Sequence, residues 1–82
     1  MESKKRKFFV YVNGEKFEFE TDHVKVGTLI EDGGGQPGTY ELQEREREHG
    51  PVIKTYTNPD EIVTIRDGEY FTTRYTGPIN PS

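Results

Sequence analysis

The 82-residue chain carries eleven basic and fifteen acidic residues, 29% hydrophobic residues and no cysteine. That length allows one small domain with a modest core, and the missing cysteines exclude disulfides, thiolate metal sites and cysteine nucleophiles on this chain. Ten aromatics, five Phe and five Tyr, argue for a folded rather than a disordered chain despite 32% charged residues. Charge is uneven: Lys4, Lys5, Arg6 and Lys7 form a basic N-terminal arm (residues 1–7), while residues 8–82 hold seven basic against fourteen acidic residues. An acidic body opposes general nucleic-acid binding, and the basic run reads as a solvated arm. With no apolar stretch long enough for a signal segment or a membrane span, the expectation is a cytoplasmic protein.

In chain order, the first element is "FFVYVNGEKFEFE". Phe8, Val10 and Val12 alternate with Phe9 and Tyr11, Asn13-Gly14 supplies a type I′ turn, and Phe17 and Phe19 alternate with charged residues, which predicts a hairpin. Phe8, Val10, Val12, Phe17 and Phe19 form the expected inward set. "HVKVGTLIEDGGG" follows, with His23 at the start of a short helix whose stripe is Val26, Leu29 and Ile30. Gly33-Gly34-Gly35 ends that helix, and Gln36-Pro37-Gly38 links it onward. "TYELQEREREHG" predicts a strand with Tyr40 and Leu42 on one face, then a hairpin loop of alternating, mutually compensating charge. "PVIKTYT" is a further short strand candidate, carrying Val52 or Ile53 and Tyr56. Asn58-Pro59-Asp60 turns the chain into "EIVTI", with Ile62, Val63 and Ile65. Asp67-Gly68 then turns it into the final strand "EYFTTRY", and from Thr76 onward "TGPINPS" reads as an extended tail that adds nothing to the fold.

Chemistry-bearing patterns are sparse. Neither His23 nor His49 has the spacing of a metal site or a catalytic pair, and the serines, Ser3 and Ser82, lie in the tails. Glu44, Glu46 and Glu48 alternate with Arg45 and Arg47, as solvated charges do. The glycines of "DGGGQPG" follow a helix and precede a strand, the reverse of a phosphate loop. A core this lean is not expected to enclose a ligand-sized pocket. No catalytic residue, metal or cofactor is expected, and the chain is not read as an enzyme. What remains is an outward aromatic pair, Phe9 and Tyr11, joined by one or two of Tyr70, Phe71 and Tyr75, as a partner surface.

Strand, strand, helix, strand, strand, strand is an α+β order. Together with "VYVNGEKFEFE", "VGTLI", "TYEL" and "IRDGEYFTTRYTGPIN", over roughly residues 8–80, the chain resembles the bacterial multiubiquitin-type domains of the β-grasp superfamily. That resemblance implies a ubiquitin-like β-grasp fold over residues 8–75, a mixed sheet of four to five strands with one short helix on one face, followed by a flexible tail, 76–82. It further implies a protein modifier or its precursor. An E1-like enzyme would activate its C-terminus, an E2-like enzyme would pass it to protein targets, and a JAB-type metallopeptidase would accompany them.

The C-terminal glycine pair of ubiquitin has no counterpart here. Gly77 and Pro78, a cleavage point, and Ser82, an alternative terminus, are therefore the conjugation or processing candidates. Arg74, Tyr75 and Thr76 are the residues by which a partner would recognise the tail. Alternative readings are a non-covalent interaction module using the Phe9/Tyr11 face, a sulfur carrier acting after trimming, and self-association through an exposed edge strand.

Overall fold

A computed structural model describes residues 7–77. β1 (Phe8–Val12) and β2 (Glu15–Phe19) pair antiparallel about Asn13-Gly14. Asn13 (φ 54°) and Gly14 (φ 85°) both take the positive φ that a type I′ turn demands. Then come β3 (His23–Lys25), α1 (Val26–Asp32), β4 (Tyr40–Arg45), β5 (Val52–Tyr56), β6 (Ile62–Thr64) and β7 (Glu69–Tyr75). Five strands form one mixed sheet in the order β2-β1-β7-β4-β5, and β3 pairs with β6 in a separate two-stranded sheet. Within the large sheet only β1 and β7 run parallel, with Val10, Tyr11 and Val12 opposite Glu69, Tyr70 and Phe71.

The molecule is thus α+β, with a mixed five-stranded sheet and one short helix. One face of the sheet carries the core. Val10, Val12, Leu42 and Phe71 project onto it and meet Val26, Leu29 and Ile30 of α1 and Val24, Val63 and Ile65 of the small sheet. The predicted helix stripe is wholly buried. Of the expected inward set, Val10 and Val12 are fully buried, while Phe8, Phe17 and Phe19 flank the core half-exposed: Phe17 and Phe19 lie on the edge strand β2, and Phe8 opens β1 ahead of its pairing with β7, which begins at Val10.

α1 has no side-chain cap at its start. Its first N–H groups are satisfied by tertiary carbonyls instead: Val26 donates to Glu61 O (2.8 Å) and Gly27 to Pro59 O (2.9 Å). Its end closes on Gly33, where a Cβ would lie 2.9 Å from Val12 Cγ1 and 2.8 Å from Asn13 Nδ2, so glycine there lets the helix end sit on the hairpin. Asn13 completes that junction. Its side-chain amide donates to Gly33 O (3.1 Å) and Thr73 Oγ1 (3.0 Å), its carbonyl accepts from Thr73 N–H (3.1 Å), and its own N–H donates to Phe71 O (2.9 Å). One turn residue therefore ties the hairpin, the helix and the last strand together.

Several expectations need correction. His23 lies in β3, a strand not foreseen, because three residues show too little alternation to be read as a strand by pattern alone. The strand over Val52–Tyr56 is present, but at the second edge of the sheet, so Val52 (39% exposed) and Ile53 (56%) stay outside the core; the register shift at Glu44/Arg45 disturbs its alternation, leaving Tyr56 as its core residue. Of the three aromatics of which one or two were expected outside, Tyr70 joins the outer face while Phe71 fills the core, since Phe71 pairs with the inward Val12.

Candidate functional site

The end of β7 is built against β4. Tyr40 opposes Tyr75, and Glu41 opposes Arg74. Tyr75 packs edge-on to Tyr40 (ring centroids 5.4 Å apart), on the core side of the sheet, so it does not join the outer aromatic pair. Arg74 projects from the opposite side and holds the nearly buried carboxylate of Glu41, with Nη1 to Oε2 at 3.4 Å; the Gln43 amide donates to the same oxygen at 3.2 Å.

The chain remains attached past its last strand. Thr76 N–H and Gly77 N–H both donate to Thr39 O, at 2.7 and 3.2 Å. Thr39 is itself fixed by a turn, donating through its N–H (3.1 Å) and hydroxyl (3.3 Å) to Gln36 O. The tail, expected to be extended and to add nothing to the fold, is thus held as far as Gly77, where a Cβ would fall 2.6 Å from the Tyr75 hydroxyl oxygen. Pro78 and Ser82 lie outside the described residues. Arg74, Tyr75, Thr76 and Gly77 thus converge on the Thr39–Glu41 segment, an anchor that strand periodicity gives no way to read.

Phe9 and Tyr11 occupy the sheet face opposite the core, as predicted from alternation, and both are half-buried. Tyr70 joins them. Its ring stacks on Tyr11 (4.9 Å, 14° between planes), and Tyr11 meets Phe9 edge-on (5.9 Å, 89°). Lys16 Nζ sits 4.7 Å from the Phe9 ring centroid and 3.9 Å from Glu18 Oε2. In strand register, Lys16, Tyr11, Tyr70 and Arg45 form one row across β2, β1, β7 and β4.

Arg45 departs from its predicted role as one of a set of solvated, compensating charges. It is half-buried; its Nε–H donates to Thr72 Oγ1 (3.0 Å) and its Nη1–H to Gly50 O (2.9 Å). Arg47, by contrast, is exposed and pairs with Glu46 at 3.6 Å. Beside Arg45 lies an open hollow of about 430 Å³ lined by Asn13, Gly14, Arg45, Glu48, His49 and Thr72. The hollow is open to the surface and not enclosed by the core, and since it forms where a hairpin turn meets a loop it leaves no mark on hydrophobic periodicity.

On the core side, Glu44 and Glu69 lie on the same face by strand register, and the Tyr56 hydroxyl donates to Glu44 Oε1 at 3.5 Å. Burial, then the neighbouring carboxylate of Glu44, pushes Glu69 above the usual carboxylate range, opposed by hydrogen bonding from the Arg66 backbone. Burial and Glu44 likewise raise Tyr56, and burial followed by Glu31 raises Asp32. These groups sit at the rim of the core and face no nucleophile. His23 Nδ1 lies 2.8 Å from Asp22 Oδ1, exposed. Among the described residues no group of three or more His, Cys, Asp or Glu side chains is placed to hold a metal ion, and no helix is long and apolar enough to cross a membrane.

No family model matches the chain, and neither a curated protein nor a solved structure matches it.

Proposed function

We propose that the chain is a ubiquitin-like protein of β-grasp fold that serves as a bacterial protein modifier or its precursor. The observation that carries this reading is the sheet order β2-β1-β7-β4-β5 with a parallel β1/β7 pair at its centre and α1 on one face. That arrangement is compatible with a β-grasp, and it carries the last described residues out of the middle of the sheet rather than from an edge. The residue resemblance to multiubiquitin-type domains supports the same assignment.

In the proposed reaction, a JAB-type metallopeptidase first hydrolyses the Gly77–Pro78 bond, adding water and freeing the Gly77 carboxylate. With an E1-like enzyme, that carboxylate attacks the α-phosphate of ATP, forming an acyl-adenylate and releasing pyrophosphate. A cysteine thiolate of the E1-like and then of the E2-like partner takes the acyl group, AMP leaving first, and a target amine finally displaces the thiol. Gly77 suits a narrow adenylation channel because it has no side chain, and Arg74, Tyr75 and Thr76 are the residues the partner reads. Entering such a channel breaks the Thr76 and Gly77 bonds to Thr39 O. Ser82 is the alternative site for the same chemistry if Gly77–Pro78 is not cleaved.

The test is incubation with an E1-like and an E2-like protein of a multiubiquitin-type system, ATP and a JAB-type peptidase, read by intact mass. A thiol-labile adduct ending at Gly77 or at Ser82 is expected. Its absence from both ends overturns the modifier reading. A second reading, a non-covalent interaction module, rests on the uncovered Phe9–Tyr11–Tyr70 row; for such a module, deleting residues 78–82 leaves activity intact.

A further inference from the structure

The outer sheet face differs from the rest of the chain in charge. By register its charged residues are Lys16, Arg45 and Arg74 against Glu18 and Glu41, on a chain of net charge −4. Glu41 is nearly buried and already held by Arg74 and Gln43. Arg45 has no counter-charge: among the described residues no carboxylate lies within ion-pair distance, and its two hydrogen bonds go to a hydroxyl and a carbonyl. A half-buried cation fixed in this way is costly to the free protein and ready for an anion, since the guanidinium fork is already oriented. Thr72 accepts from Arg45 and keeps its own hydroxyl proton to donate into the hollow, where Glu48 is the lone carboxylate.

We propose that this face binds an extended acidic segment of a partner protein. One carboxylate enters the hollow at Arg45 and Thr72, an apolar side chain lies over the Tyr11/Tyr70 stack, and a second carboxylate meets Lys16. The spacing follows from sheet geometry. Arg45 to Lys16 spans three interstrand gaps, about 14 Å, and residues i and i+4 of an extended peptide lie on one face about 13 Å apart. The motif is therefore acidic, any, apolar, any, acidic. A second copy of this chain does not supply it: the acidic pairs four apart are Glu18/Asp22 and Glu44/Glu48, whose middle residues are Glu20 and Glu46. This inference rests on the second reading, that the outer face is a partner surface. It is independent of conjugation, because the tail plays no part in it.

The full chain, labelled for amide NMR, is titrated with the capped peptide Glu-Thr-Val-Thr-Glu and with versions carrying Lys or Gln in place of both Glu. The expected result is shifts confined to Tyr11, Lys16, Arg45, Tyr70 and Thr72 with the Glu peptide, no response to the Lys peptide, and weakening with salt. Arg45→Gln is expected to weaken binding about tenfold. Lys16→Gln, on an exposed edge position where folding is not at stake, is expected to weaken it about threefold. Equal binding of all three peptides on this face keeps the partner surface but overturns the acidic recognition. No shift on this face with any peptide overturns both, and an unchanged affinity in both variants overturns the assigned contacts.

Discussion

The two faces of the five-stranded sheet are built from the same strands under opposite rules. The inner face is aliphatic and covered: Val10, Val12, Leu42 and Phe71 lie under α1 and the small sheet, fully or almost fully buried. The outer face is aromatic and charged, and among the described residues no element packs over it. Its side chains complete one another instead, Tyr11 on Tyr70, Lys16 over Phe9, Arg45 on Thr72 and Arg74 on Glu41. Burial against a second layer fixes the inner residues. On the outer face lateral pairs contribute only fractions of a kcal/mol to about 1.5 kcal/mol each, so residues there are freer to serve recognition.

The contrast breaks if the two faces respond alike to truncation. Phe71→Ala removes the largest fully buried side chain and is expected to cost about 3–5 kcal/mol, enough to unfold much of a domain this small. Urea denaturation followed by circular dichroism reads it. Next comes Asn13→Ala, at the junction where the hairpin, helix end and last strand meet. It loses three side-chain hydrogen bonds and leaves a residue with Cβ at φ 54°, for an expected loss of about 2–3 kcal/mol. Asn13→Gly relieves the backbone strain but not the lost bonds, and is expected to recover about 1 kcal/mol of that loss. Full recovery would mean that the amide contacts contribute nothing.

The outer face is expected to tolerate more. Tyr11→Ala and Tyr70→Ala should each cost about 1–2 kcal/mol, and the double variant less than their sum by about 0.5–1 kcal/mol, the coupling of the stacked rings. A cost equal to that of Phe71→Ala would show that the outer row holds the fold together and would remove the ground for treating it as a recognition surface.

How much of this was legible in the sequence follows the same division. The Asn13-Gly14 hairpin, the Val26/Leu29/Ile30 stripe and the glycine stop were readable, because each depends on local periodicity or turn chemistry. The outward placement of Phe9 and Tyr11 was readable for the same reason. Phe71 was not placed, since its side depends on register with β1, a strand nearly 60 residues away. The strand over Val52–Tyr56 was readable, but not its place at an edge, since an apolar pair at an edge looks locally like any other strand. Arg45 was hidden inside an alternating charge run; only pairing of β4 with β7 brings it onto Thr72 and Tyr70. The anchor at Thr39 is likewise a tertiary contact between a turn and a tail, with no sequence signal of its own.

The smallest expected effect separates the faces electrostatically. Glu69 belongs to the inner face by register with Val10, and burial together with Glu44 holds its carboxyl above the ordinary value. A raised folded-state pKa favours the protonated form. Its contribution is therefore fully present below the unfolded value near 4.5 and is lost as pH rises through the folded value. Glu69→Gln keeps an oxygen to accept from Arg66 N–H, now 3.0 Å from Glu69 Oε1, while removing the titration. Relative to the parent chain the variant should gain stability as pH is raised from 4 to 7, measured by urea midpoints. If the Glu69 variant runs parallel to the parent across that window, the inner rim is as well solvated as the outer face, and burial is not what distinguishes their charges.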